Sequence, residues 1–217
     1  VRDAEVCFCL AQKRPSWRDG PAVGSPVPSP HRTTSPHCSG SILAFCPVTT
    51  HGKLHKINRG TSGRPKGNQL QTLVQTIRAL THGETDTIAL MATVACEVHH
   101  AHPFADWTGF YRVTAPNLLK IGPYQGGHGC LVIPFSRGVC GASARTGKVQ
   151  NVPDVEAFAD HIACSSTTRS ELVLPVWNGA GTLLGVFDID SNTPAAFTKA
   201  DEDWLVPLLA EVFERAQ

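Results

Sequence analysis

Methionine is almost missing from this chain: Met91 is the single one among 217 residues, and the sequence as given opens on Val1. That start fits a fragment, a processed form or an upstream-extended translation equally. Long apolar runs are missing too. No stretch approaches the ~18 residues that a membrane-spanning helix needs, and none has the short apolar centre of a signal peptide. A membrane partner is therefore not expected, and the chain reads as a protein free in solution. Net charge is nearly absent, at +1. No nucleic-acid partner and no cofactor are expected.

The small net charge conceals an asymmetry. Residues 1–67 carry 10 Lys and Arg against 3 Asp and Glu, whereas residues 68–217 carry 9 against 15. The first segment also holds 8 of the 16 prolines, with 7 Gly and 7 Ser, and shows no sustained apolar period. Such a segment cannot bury enough apolar surface to offset the entropy of ordering, so disorder is expected. Its basic, Ser-rich composition is that of an organelle transit peptide and equally that of an untargeted tail. The eight cysteines could suggest a secreted disulfide scaffold. Chain length and their sparse spacing favour free thiols in a reducing compartment instead, and the cytoplasm is the expected location.

Residues 68–217 read as an α+β domain. Leu70, Leu73, Val74, Ile77 and Leu80 recur at helical spacing, and Gly83 is expected to end that helix. Thr85 or Asp86 can cap a second helix, with Ile88, Met91, Ala95 and Val98 on its buried side and an end before Pro103. Strands are expected at Trp107–Val113, Leu118–Tyr124, Cys130–Ile133, Glu171–Trp177 and Thr182–Asp190, with a short helix over Gly138–Thr146. Thr198 and Asp201 form a variant capping box for a last helix lined by Val206, Leu209, Val212 and Phe213. Pro207 should kink that helix unless the helix starts there.

Three cysteines in this part sit in segments that suggest a reactive pocket. Cys130 ends Gly-Gly-His-Gly-Cys, Cys140 lies in Pro-Phe-Ser-Arg-Gly-Val-Cys-Gly, and Cys164 closes His-Ile-Ala-Cys. Glu171, Asp188 and Asp190 follow. Asp188 and Asp190 are two apart on a strand and share a face. Carboxylates there can bind an ammonium group by charge-assisted hydrogen bonds, or, crowded into a protonated state, donate a proton. Trp107 and Tyr111 also share one face. His99, His100 and His102 lack a second ligand cluster, so no metal is expected. Cys7, Cys9, Cys38 and Cys46 fit no zinc pattern. Cys96 reads as core filler, and 126–129 as a tight turn.

Six stretches together resemble one family: Trp-Thr-Gly-Phe-Tyr (107–111), Gly-Pro-Tyr-Gln-Gly (122–126) with Cys130, Ile-Pro-Phe-Ser-Arg-Gly-Val-Cys-Gly (133–141), His-Ile-Ala-Cys-Ser-Ser-Thr-Thr-Arg-Ser-Glu (161–171), Gly-Val-Phe-Asp-Ile-Asp-Ser (185–191) and Phe-Thr-Lys-Ala-Asp-Glu-Asp (197–203). They are similar to the free methionine-(R)-sulfoxide reductases, enzymes built on a GAF domain. The resemblance runs from about Asn68 to the C-terminus; residues 1–67 have no counterpart.

That resemblance implies a GAF-like catalytic domain over 68–217, with a mostly antiparallel sheet flanked by helices. It implies reduction of free L-methionine-(R)-sulfoxide through a cysteine sulfenic acid and an intramolecular disulfide, recycled by thioredoxin. Cys164 is then the attacking thiol and Cys130 the main resolving thiol, while Cys140 either resolves or takes the nucleophilic role. Any disulfide pair must bring its Cα atoms to roughly 4.4–6.8 Å. Trp107 and Tyr111 would wall the pocket around the methyl-sulfinyl group, and Glu171, Asp188 and Asp190 would bind the substrate. A homodimer is left open. The alternatives are a GAF module that senses a small ligand without turnover, and a redox sensor acting on a partner; neither follows from the fold alone.

Overall fold

A computed structural model gives the structure of the chain and describes residues 63–160, 162 and 164–217. The expected disorder of the extension concerns mostly residues outside the described ones, and Cys7, Cys9, Cys38 and Cys46 lie outside them as well. Residues 63–67 lead into the first helix, and Arg64 forms an ion pair with Asp201 at 2.9 Å.

Two helices come first, α1 (Asn68–Leu80) and α2 (Thr87–Ala101). The hairpin β1 (Trp107–Ala115) and β2 (Leu118–Gly126) follows, then β3 (Val132–Pro134), α3 (Gly138–Thr146), β4 (Gln150–Val152) and a 3₁₀ turn at Val155–Ala157. The chain closes with β5 (Ser170–Trp177), β6 (Leu183–Ser191) and α4 (Lys199–Val212). The six strands form one sheet in the order β3-β2-β1-β6-β5-β4, and every neighbouring pair is antiparallel.

Alternation along the strands divides the interior in two. On one face, Phe110, Leu172, Leu174, Phe187 and Ile189 pack with Ile77 of α1, Leu90, Met91 and Val94 of α2, and Leu205 and Leu209 of α4. On the other face, Trp107, Tyr111, Val173 and Val186 pack beneath α3 and the loops beside it. The helices are held by local chemistry. Asp86 caps α2, its carboxylate accepting from the Ala89 amide at 2.7 Å. Thr198 and Asp201 complete the capping box of α4, which satisfies amides that have no partner within the helix.

Several expectations need correction. Leu80, Ile88 and Val206 are 57%, 42% and 45% exposed. Leu80 is the last residue of α1 and Ile88 lies in the first turn of α2, so both extend past the core. On α4 the buried stripe is Asp201, Leu205, Leu208 and Leu209, which leaves Val206 about a quarter-turn away from it. Pro207 lies inside α4, as expected, and not at its start; it is on the exposed side, where water can satisfy the carbonyl its missing N–H leaves free. Helix α1 ends three residues before Gly83, at a turn in which both Thr81 N and Thr81 Oγ1 donate to Ile77 O. The third strand starts at Val132 rather than Cys130. Cys96 is half-buried and stands outside the core.

Candidate active site

The sheet register aligns the acidic side chains before any loop is considered. Asp190 of β6 is paired with Trp107 of β1 on one side and Glu171 of β5 on the other. Two residues along β6, on the same face, Asp188 is paired with Gly109 and Val173. Glu171, Asp188 and Asp190 therefore form a compact acidic patch on the α3 side of the sheet. Gly109 leaves space beside it. A Cβ there would stand 2.6 Å from Trp107 Cη2 and 2.4 Å from Tyr124 Cβ. Without one, the Trp107 indole lies across the strand, stacked on Tyr111 at 5.6 Å and on Tyr124 at 5.4 Å.

Helix α3 lowers the thiol onto the patch. Its residues Gly138–Ala144 are all buried and mostly small, which lets the helix lie close to the sheet. Gly141 illustrates this, since a Cβ would be 2.6 Å from Pro134 O. The Cys140 thiol consequently donates to Asp188 Oδ2 at 3.3 Å and approaches Glu171 Oε1 at 3.7 Å. Cys130, on the loop after β2, and Cys164, on the segment before β5, are joined in a disulfide with Cα atoms 5.1 Å apart. That spacing is within the range a disulfide requires.

These elements surround a recess that is open to solvent on one side. Seven of the eight residues singled out from the sequence line it: Trp107, Tyr111, Cys140, Cys164, Glu171, Asp188 and Asp190. Cys130 does not line it and reaches it only through its bond to Cys164. The sequence reading missed His128 and Gly129, which also line the recess. The 126–129 stretch was read only as a turn, yet it folds over the aromatic rings. A Cβ on Gly129 would be 2.8 Å from the Tyr111 hydroxyl, so only glycine permits the approach.

Burial governs the electrostatics of the recess floor. Asp188 is raised from its ordinary value to about 7, chiefly by desolvation. Burial, reinforced by the Asp188 and Asp190 charges, pushes Glu171 well above the usual carboxylate range. Asp190 rises for the same reasons, with Asp188 and Asp106 nearby. The Cys140 thiol is also pushed up, first by burial and then by Asp188 and Glu171. Like charges in a dry site cannot all ionise together, so protons are retained there at neutral pH. Among the described residues, two polar atoms on this face have no partner: Trp107 Nε1 and Asp188 Oδ1. One is a free donor and the other a free acceptor, and a ligand with both functions could satisfy them.

The three histidines do not converge. His99 Nδ1 pairs with Thr108 Oγ1 at 3.2 Å, His100 Nδ1 with Cys96 O at 2.7 Å and His102 Nδ1 with Val98 O at 2.8 Å.

Comparison with known proteins agrees with this geometry. Residues 68–216 match the GAF domain family. Protein YtsP of Bacillus subtilis is 41% identical over 70% of this chain and 92% of its own length. The free methionine-R-sulfoxide reductase of Escherichia coli is 38% identical over 62% of this chain and 80% of its own. The X-ray structure of free methionine-R-sulfoxide reductase from Neisseria meningitidis in complex with its substrate superposes with a TM-score of 0.64. It is 34% identical and covers 71% of this chain and 93% of that one. The chain belongs to the free methionine-R-sulfoxide reductase family of GAF-domain enzymes.

Proposed function

We propose that this chain reduces free L-methionine-(R)-sulfoxide to L-methionine by a thiol–disulfide cycle, with thioredoxin as the reductant in a cytoplasmic setting. The observation that carries the mechanism is the Cys130–Cys164 disulfide, with Cys164 on the recess wall and Cys130 outside it. In the first step the Cys164 sulfur attacks the sulfinyl sulfur. The oxygen passes from the substrate sulfur to the Cys164 sulfur as the S–O bond and the new S–S bond both break, so methionine leaves reduced by two electrons and Cys164 becomes a sulfenic acid. The Cys130 thiol then displaces hydroxide from that sulfenic acid, forming the disulfide and water. A thioredoxin dithiol reduces the disulfide and is itself oxidised.

The acidic patch has two tasks in this reading. One carboxylate of the patch, ionised once the substrate ammonium lies beside it, holds that ammonium by a charge-assisted hydrogen bond, and Glu171 takes this role. A carboxyl still protonated supplies the proton that the departing oxygen needs. Trp107 and Tyr111 form the apolar wall against which the methyl group rests. The unpartnered Trp107 Nε1 can donate to the substrate.

A coupled assay with free methionine sulfoxide, thioredoxin and its reductase tests the proposal. Turnover of the R epimer with consumption of reductant is the expected result. Binding of the sulfoxide with no methionine formed would replace the enzyme with a ligand sensor.

A further inference from the structure

We propose that His128 is a specificity-determining residue of the recess. Its imidazole donates a hydrogen bond to the α-carboxylate of a free amino acid, and so selects the free sulfoxide over a peptide-bound one. The identity of that amino acid rests on the reductase reading; the contact itself does not.

A free amino acid carries two opposite charges on one carbon atom. The recess floor offers Glu171, Asp188 and Asp190, which suit the ammonium and repel a carboxylate. The anionic end therefore needs a donor elsewhere on the wall. Among the described residues no Lys or Arg lines the recess, and His128 is the one lining side chain that can carry positive charge. The donors Tyr111, Trp107, Ser165 and Thr168 on the same lining are neutral. Ser165 Oγ is also engaged with Thr167, 3.0 Å from its Oγ1 and 3.3 Å from its backbone N. An imidazole presents at least one ring N–H whether neutral or protonated, so the contact does not depend on one protonation state.

The sheet register sets the two poles apart. Gly126 of β2 pairs with Trp107 of β1, Trp107 with Asp190 of β6, and Asp190 with Glu171 of β5. His128 follows two residues after Gly126. Its loop therefore leaves the sheet three strand spacings from Glu171, or about 14 Å. Side chains entering the recess from both margins shorten that span and leave one amino acid between them. The loop is also held in place. A Cβ on Gly129 would be 2.8 Å from the Tyr111 hydroxyl and 3.3 Å from Trp107 Cζ2, so close packing there fixes the neighbouring His128 over the aromatic wall. His128 is exposed, at the open side, where a carboxylate keeps part of its hydration. His99, His100 and His102 differ, since their Nδ1 atoms are taken up by Thr108 Oγ1 or by backbone carbonyls.

The test compares L-methionine-(R)-sulfoxide with its carboxamide, which keeps the ammonium and the sulfinyl group and loses only the carboxylate. Binding is measured by calorimetry on the full chain carrying Cys164→Ser, so that no substrate is consumed, with and without His128→Ala. Steady-state constants are measured with all cysteines present. His128→Ala should weaken binding of the acid and raise its KM about tenfold, with kcat and the affinity for the amide both within about twofold. His128→Gln, which retains an N–H donor, should recover part of the loss. Equal weakening of acid and amide would make His128 a structural part of its loop and overturns the proposal. So does an unchanged affinity for the acid, and so does an acid that fails to bind at all. Acid binding that depends on His128, without turnover in the parent chain, upholds the contact and removes only the reductase reading; turnover indifferent to His128 does the reverse.

Discussion

Along β6, Phe187 and Ile189 pack into hydrocarbon, while Asp188 and Asp190 between and beyond them face the recess. The same contrast runs along β5, where Leu172 and Leu174 belong to the helix-covered core and Glu171 lines the recess. One sheet therefore carries two opposed designs on its two faces. The face under α1, α2 and α4 is apolar and close-packed, and it supplies stability. The face under α3 crowds three carboxyls and a thiol out of water, which disfavours their charged forms. The apolar face holds in place an arrangement that would be unfavourable by itself, a common relation between fold and site.

The comparison can be broken most sharply at the disulfide. Cys164→Ser should abolish turnover, whereas Cys130→Ser should form one methionine per enzyme molecule and then stall. Product counted without recycling reductant separates the two, and repeated turnover by the Cys164 variant would transfer the attack to Cys140. On the apolar face, Phe187→Ala should lower stability by about 3–5 kcal/mol in a denaturant titration. Its folded fraction should retain ordinary kcat, because the ring lies opposite the recess; a selective loss of kcat would show that the faces are coupled.

Asp188→Asn sharpens the contrast from the other side. Turnover should fall roughly a hundredfold with the loss of a proton donor, while stability relative to the parent should rise with pH. The sign follows from the raised value of about 7. Between the unfolded carboxylate range and neutrality the folded state holds a proton that the unfolded chain has released, so the parent loses stability as pH climbs through that window. Thermal melts of both proteins across it should diverge upward, and parallel curves would contradict the burial argument. Parent activity should decline as pH passes about 7. The smallest expected effect is Glu171→Ala, with KM raised about tenfold through loss of a charge-assisted contact. Unchanged KM and kcat would remove Glu171 from substrate binding.

Much of the fold was legible because it rests on local rules. The capping residue Asp86, the Thr198–Asp201 box, the Gly138–Thr146 helix and the β5–β6 hairpin each follow from short-range patterning. Exposure at Leu80, Ile88 and Val206 was not legible, since apolar spacing does not reveal where the neighbouring element ends. The His128–Gly129 loop was read as a turn for a related reason: glycine marks permissive backbone, but only the opposing Tyr111 ring shows what the permission is for.

By itself the sequence determined the residue types available for chemistry and the side of each strand they occupy, because strand alternation is fixed by backbone geometry. It also carried the motifs that mark the family. Only the tertiary structure decided that Cys140 stands over Asp188 and Glu171, and that Cys130 meets Cys164. Those facts depend on how closely α3 and two loops approach the sheet, which is set by packing among residues distant along the chain.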